Sequence, residues 1–295
     1  MPIVAPDSVH APGWWRTVRG YLLLPHLVPV IVVELATAAF AVVAWGGVPP
    51  LSLLGPLLLA MLGGQLAIGA INELVDLPSD AVSKPGKPLP SGTVSLRGAR
   101  IVVAVGIVMM AGFGSVFGPG PFVLLALGTG IGVAYDLWFK RSAWSWLPYL
   151  LALPLLPIWV FAALGRSEPG LFLLYPLGAL ATVGVHFSQA LPDVDADRVA
   201  GLGTITSRLG TERTFAAAWL ATMSAPLLAW IAANLTRPDA GQRAIAIAGG
   251  LTVLLLIVNL ALLGFRRRLG IAACFPLVAL ATLTTAVAWT VTVAR

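Results

Sequence analysis

Residues 51–80 read LSLLGPLLLAMLGGQLAIGAINELVDLPSD. The stretch from Leu51 to Asn72 carries no charge and has the length of about 20 mostly apolar residues that a bilayer core demands. Acidic residues then follow at once, and Asn72, Asp76 and Asp80 stand four apart. Positions i, i+4 and i+8 share one helix face, drifting by about 40° per step. The same spacing recurs after another apolar run, as Gln189, Asp193 and Asp197. The chain has only 12 acidic residues in 295, so four aspartates on one repeated pattern call for one shared explanation. Helix capping and pairing with nearby lysines are the plain alternatives. Carboxylates gathered near a membrane otherwise need protonation, a cationic partner or a metal, and two facing sets of hard oxygen ligands suit Mg²⁺ holding a diphosphate. Pro78 removes a helical hydrogen bond if it lies deep in a helix, so the helix is expected to kink or end there, which can leave Asp80 on the following loop. Pro192 raises the same question beside Asp193.

Composition supports the membrane reading. The chain is 58% hydrophobic and 10% charged, with mean hydropathy +0.93, whereas a soluble domain carries roughly 25% charged residues. Such a chain cannot cover a water-facing surface. The expected fold is all-α: one polytopic domain over residues 1–295, with nine transmembrane helices in a bundle. The spans fall at about 21–45, 51–72, 99–117, 120–139, 144–164, 171–191, 213–235, 243–264 and 270–293. Residues 1–20, with Trp14, Trp15, Arg16 and Arg19, lack a signal-peptide pattern and read as an interfacial lead-in. The lone Cys274 excludes an intrachain disulfide.

Alternating the nine spans puts 14 Lys and Arg on one side. Only Arg166, Arg237, Arg243 and Arg295 fall on the other, and 14 plus 4 accounts for all 18. The positive-inside rule then places the N-terminus and both acidic clusters in the cytoplasm and the C-terminus outside. The same bias explains the pI near 10.1 without nucleic acid as a partner. The two clusters are offset by 117 residues and four spans, a spacing consistent with an old parallel duplication.

After the first cluster runs Lys84-Pro85-Gly86-Lys87-Pro88-Leu89-Pro90-Ser91-Gly92. Its prolines stiffen a loop that brings two cations near the carboxylates, an arrangement suited to a leaving diphosphate. Together, residues 72–80 and this loop resemble the first aspartate-rich motif of the UbiA superfamily of intramembrane prenyltransferases. Asp193-Val-Asp-Ala-Asp197-Arg198, continuing through Gly201 and Thr204 to Arg208-Leu209-Gly210, is similar to the second motif, in the version of menaquinone-type members. Tyr135-Asp136-Leu-Trp-Phe-Lys140-Arg141 resembles the motif after the family's fourth span. The chain departs from the pattern in three places. Asn72-Glu73 stands where many members have Asn-Asp. Leu24 precedes Pro25-His26 where many have Arg, so Arg19 or His26 is a candidate substitute. Ser188-Gln189-Ala190 stands where Asn and Arg are common.

The resemblance implies a bundle around a central cavity that opens toward the cytoplasm, and an enzyme that moves a prenyl group from an allylic polyprenyl diphosphate to an aromatic or other lipophilic acceptor. It implies Mg²⁺ held by Asn72, Asp76, Asp80, Asp193 and Asp197, and a diphosphate neutralised by Lys84, Lys87, Lys140 and Arg198. Asp76, Asp193 and Tyr135 take the leading catalytic roles. Tyr135, Trp138 and Phe187 are candidates to face the allylic cation, while lipid contact or core packing is the plainer reading of Trp138 and Phe187. His186 and Gln189 can place an acceptor. Glu34, near the middle of the first span, reads either as a base or as a protonated contact between helices. Asp195 is expected to face away from the site, and Asp136 to pair with Lys140. Two other activities fit less well. A terpene cyclase of the same superfamily would need no acceptor. A secondary transporter would hold its carboxylates near the midplane, usually between inverted repeats.

Overall fold

The structure, a computed structural model, describes residues 13–199, 201–236 and 242–294. Among these there are helices and turns and no strand. Twelve α-helices follow in order: α1 Gly13–Leu23, α2 Leu27–Trp45, α3 Leu51–Ser83, α4 Leu96–Gly114, α5 Pro119–Ala134, α6 Leu147–Ala163, α7 Leu174–Ala190, α8 Val194–Val199, α9 Ile205–Leu209, α10 Thr211–Thr236, α11 Gln242–Phe265 and α12 Arg267–Ala294. Eight segments are long and apolar enough to cross a membrane. The expected fifth span is α6, an apolar helix of 17 residues, or about 25 Å. It falls somewhat short of a hydrocarbon core of about 30 Å. Arg237 and Arg295, counted toward the far side of the membrane, and residues 1–12 of the N-terminal lead-in lie outside the described residues.

The outward-facing side chains are apolar: Leu51, Val108, Leu220 and Ile247 are among many large hydrophobic residues left exposed. In water this would be a liability; toward lipid it is the expected surface. Helices in lipid gain little from burying apolar area against one another, so close packing by small residues must hold them. The α3–α4 pair is built this way. A side chain at Gly63 would meet Met110 N at 2.5 Å and Gly106 O at 2.6 Å, and one at Gly106 would meet Gly63 O at 2.6 Å. Polar links add to packing elsewhere. Trp219 Nε1 donates to Asn259 Oδ1 at 2.9 Å, and Asn259 Nδ2 donates to the Gly270 carbonyl at 2.8 Å, joining α10, α11 and α12.

Two features deliver the acidic motifs to one end of the bundle. The first is the length of α3: at 33 residues it is about 50 Å long and overshoots the hydrocarbon. Pro78 lies inside it without ending it, so Asp80 sits on the helix and not on the loop. The second is the anchoring of the loop after α3. Leu89 and Val94 are buried with Leu24, Ala70 and Ala99, which pins Lys84 and Lys87 over the end of the bundle. Near Pro192 the chain leaves α7 through a 3-10 turn, Leu191–Asp193, and continues into α8.

Candidate active site

The two acidic motifs meet. Lys84 Nζ, just beyond α3, donates to Asp193 Oδ1 at 2.7 Å. Asp197, one turn further along α8, lies within electrostatic reach of Asp193, Lys84, Lys140 and Asp76. Lys140 donates to Asp76 Oδ2, and Arg141 reaches Asp76 Oδ1 at 3.7 Å and Ser79 Oγ at 3.4 Å. Residues more than a hundred positions apart thus form one alternating field of carboxylates and ammonium groups. Beside it opens a cavity of about 460 Å³, bordered by Leu23, His26, Glu73, Lys84 and Lys87.

A local irregularity sets the third motif. Residues Tyr135–Phe139 form one π-helical turn, closed by a bond from Lys140 N to Tyr135 O at 2.8 Å. The extra residue in the turn shifts the register so that Asp136 is buried while Lys140 swings to Asp76. Such turns inside α-helices occur frequently at functional sites. Asp136 accepts from Asn72 Nδ2. The expected Asp136–Lys140 pairing is therefore replaced by two separate bonds, Asn72 to Asp136 and Lys140 to Asp76.

Below the charged field lies a cluster of rings. Tyr135 and Tyr149 meet edge to face with centroids 5.3 Å apart, and His186 lies 4.9 Å from Tyr149 and 6.2 Å from Tyr135. Phe187 is buried with its ring 6.0 Å from His186. Tyr149 Oη donates to Gln189 Oε1 at 2.8 Å, and Ser145 Oγ bonds His186 Nε2 at 2.9 Å. Each hydroxyl fixes one of the side chains that the sequence offered for acceptor placement.

The other expected site residues take distinct places. Asp80 is 5% exposed and its Oδ2 accepts from Lys87 Nζ at 2.7 Å. Glu73 and Asp80 are two helical turns apart on one face and share that lysine, since Lys87 also donates to Glu73 Oε1 at 2.7 Å. Burial works against the charge on Lys87, and the hydrogen bonds and fields of Asp80 and Glu73 outweigh it, holding its pKa above the usual lysine value. Lys87 is thus held by the first motif, and Asp80 by Lys87. Asn72 is engaged on both sides of its amide, by Asp136 and by His26. Trp138 is 71% exposed, which places its ring on the outer surface of the bundle, as the lipid-contact alternative has it. Arg198 is exposed and makes no ion pair among the described residues. Glu34 lies in α2 about 12 Å along the helix axis from His26, with Oε1 buried and unbonded; it does not join the charged field. Asp195 accepts from Thr211 Oγ1 at 3.0 Å and so faces away as expected.

Four side chains carry more of the site than the sequence alone signalled. Ser145 sits just before α6 and Tyr149 in its first turn, where nothing in spacing marks them out. Glu73 was visible only as a departure from a motif. His26 joins it: Nε2 lies 3.1 Å from both Glu73 Oε1 and Asn72 Oδ1.

The donor set fits Mg²⁺. Among the described residues no three His, Cys, Asp or Glu side chains converge into a closed cage. Magnesium needs none: it keeps several waters and is usually held by one or two carboxylates together with substrate phosphates. Asp76, Asp193 and Asp197 supply hard oxygens of that kind, already balanced by the cations of Lys84 and Lys140.

A family model described as the UbiA prenyltransferase family matches residues 33–275. The chain is 31% identical over 174 residues to the bacteriochlorophyll synthase 33 kDa chain of Cereibacter sphaeroides, a match covering 55% of this chain and 56% of that one. It is 30% identical over 179 residues to the digeranylgeranylglyceryl phosphate synthase of Natronomonas pharaonis, covering 57% of this chain and 64% of the relative. The matches thus span somewhat more than half the length of these curated relatives. Among solved structures, a UbiA homolog from Archaeoglobus fulgidus bound to DMAPP and Mg²⁺ superposes with TM-score 0.66 at 18% identity, covering 88% of this chain and 98% of that one. At that identity the likeness shows a shared fold.

Proposed function

Because this chain belongs to the UbiA prenyltransferase family, we propose that it transfers a prenyl group from an allylic polyprenyl diphosphate to an aromatic or other lipophilic acceptor, with Mg²⁺ as cofactor. One observation carries the reading. The Lys84–Asp193 bond closes the loop of the first motif onto the second, so carboxylates and cations from both face one point at the end of the bundle. A diphosphate is the ligand that needs both signs at once.

Asp76, Asp193 and Asp197 are the residues that would hold the metal. The chemistry such a metal would supply is neutralisation of the charge that develops on a diphosphate as its allylic C–O bond breaks. Lys84, Lys140 and Arg141 stand at the same face and hold the remaining negative charge, a preorganised field that acts where charge develops. The ring cluster of Tyr135, Tyr149 and His186 lies one layer deeper, where the allylic cation would form. An aromatic face stabilises a cation by about 0.5–2 kcal/mol. Gln189 and His186, fixed by Tyr149 and Ser145, orient the acceptor. The isoprenoid chain occupies the apolar space between helices, and the site faces the cytoplasm.

The test is product analysis. Protein in nanodiscs receives Mg²⁺ and labelled prenyl diphosphates of graded length, first alone and then with a pool of aromatic acceptors. Diphosphate release that yields acceptor-linked product supports the proposal. Cyclised hydrocarbon without acceptor would replace it with the cyclase reading. No release from any donor, by protein that remains folded, would overturn it.

A further inference from the structure

His26 is the only non-glycine among the described residues with a positive φ, at +56°. It stands between α1 and α2, caps the start of α2 without a side-chain bond to it, and follows Pro25, against which Gly69 of α3 packs so closely that a side chain there would meet Pro25 Cα at 2.6 Å. A strained backbone persists only where its surroundings over-determine it, and here a tight helix contact holds the turn. The strain serves the side chain. Nε2 lies 3.1 Å from Asn72 Oδ1 and 3.1 Å from Glu73 Oε1. Both partners are acceptors, so Nε2 carries the hydrogen and shares it between them. That choice fixes the Asn72 amide, whose nitrogen then points to Asp136. It also orients the Glu73 carboxylate, which receives Lys87, itself bound to Asp80. One imidazole thus sits at the head of two chains of bonds. One chain ends beside Tyr135, and the other at the wall of the cavity that Lys84 borders.

We propose that His26 is a positioning residue for the first acidic motif: its shared Nε2–H sets Asn72 and Glu73, and through them the face on which the diphosphate end of the donor rests. The inference builds on the proposed prenyl transfer.

The backbone supplies a clean test. Glycine adopts a positive φ without a steric penalty, so His26→Gly removes the imidazole and relieves the strain together. Glutamine places an amide N–H near the position of Nε2, so His26→Gln restores the donor. The readouts are Mg²⁺-dependent binding of a non-reactive prenyl thiodiphosphate, KM and kcat for the donor, and the melting temperature in nanodiscs. With His26→Gly, binding and KM are expected to worsen about ten-fold, the loss typical of a hydrogen bond to a charged group. The melting temperature should hold or rise, and kcat should change less. His26→Gln should recover most of the binding, and Glu73→Gln combined with His26→Gly should bind no worse than the weaker single variant. Binding by His26→Gly equal to wild type would overturn the proposal. So would a loss that tracks a fall in melting temperature and is not rescued by glutamine. A wild-type protein that neither binds the thiodiphosphate nor transfers a prenyl group would overturn this inference and the proposed function together; a working wild type with an unaltered His26→Gly removes this inference alone.

Discussion

Asp76 and Asp193 illustrate how much the role of a carboxylate depends on its partner. Each is paired with a lysine ammonium that a bound diphosphate could take over, Lys140 for Asp76 and Lys84 for Asp193. Replacing either aspartate by asparagine keeps the shape and removes the charge. We expect prenyl-transfer kcat/KM to fall about a hundred- to a thousand-fold, the usual loss of one preorganised electrostatic group, with far-ultraviolet circular dichroism unchanged. Lys87 belongs to a different class. Its ammonium lies between Glu73 and Asp80, whose side chains are 3% and 8% exposed. Lys87→Met strips both acids of their cation, and removing one partner of a buried pair costs about 3–5 kcal/mol; thermal unfolding in detergent reads the change. The sign of the pH dependence follows from the raised pKa of Lys87. A cation whose pKa is higher in the folded state contributes stability that is complete below its ordinary value of 10.5 and is lost as pH rises through the folded value. The melting gap between wild type and Lys87→Met should therefore stay level from neutral pH to the ordinary lysine range and close only above it. A gap that closes on acidification from neutral pH down to the ordinary carboxylate range would show that the acids, and not the lysine, govern the pairing.

At the scale of elements, α3 organises the site. It packs on α4 through backbone-to-backbone contact at Gly63 and Gly106, and its last three turns carry Asn72, Glu73, Asp76 and Asp80. A Gly63→Leu substitution would push a side chain into the Met110 and Gly106 backbone. Overpacking of this kind costs typically about 1–3 kcal/mol, and here it displaces the helix that bears the first motif. We expect a lower melting temperature together with weaker donor binding. By contrast Gly112, with open space where its side chain would stand, should accept alanine with no change in either measurement. The short helix α6 has the opposite character. It brings Tyr149 and Ser145 to the ring cluster from one end, while its other end leads to Arg166, paired with Glu168 across 3.5 Å.

At the scale of the molecule, all three motifs lie at one end of the bundle and Arg166 at the other. From the distribution of lysine and arginine we propose that the motif end faces the cytoplasm. Cys274 is fully buried, so single cysteines can be introduced in a Cys274→Ser background and read without interference. In cells, Ser83→Cys should resist a membrane-impermeant maleimide added outside, and Arg166→Cys should react. The reverse pattern would invert the orientation and place donor access on the outer face.

The membrane class, the helical content, eight of the nine expected spans and the spacing of the two aspartate motifs were legible in the sequence alone, because each is a local property. Hydropathy over about twenty residues decides a span, and a spacing of four decides a shared helix face. The resemblance at residues 72–92, 135–141 and 193–210 named the family on the same local grounds. Partner choice was not legible. Lysines 84, 87 and 140 each had several aspartates within plausible reach. Only the continuation of α3 through Pro78, the π-turn at Tyr135–Phe139 and the buried anchors Leu89 and Val94 assigned Lys84 to Asp193, Lys87 to Glu73 and Asp80, and Lys140 to Asp76. Tyr149, Ser145 and the strained His26 likewise gained their roles only when distant segments closed around them. Hydropathy and spacing act along the chain, whereas hydrogen bonds and ion pairs depend on distances of a few ångströms across it, and those distances are set by how the helices pack.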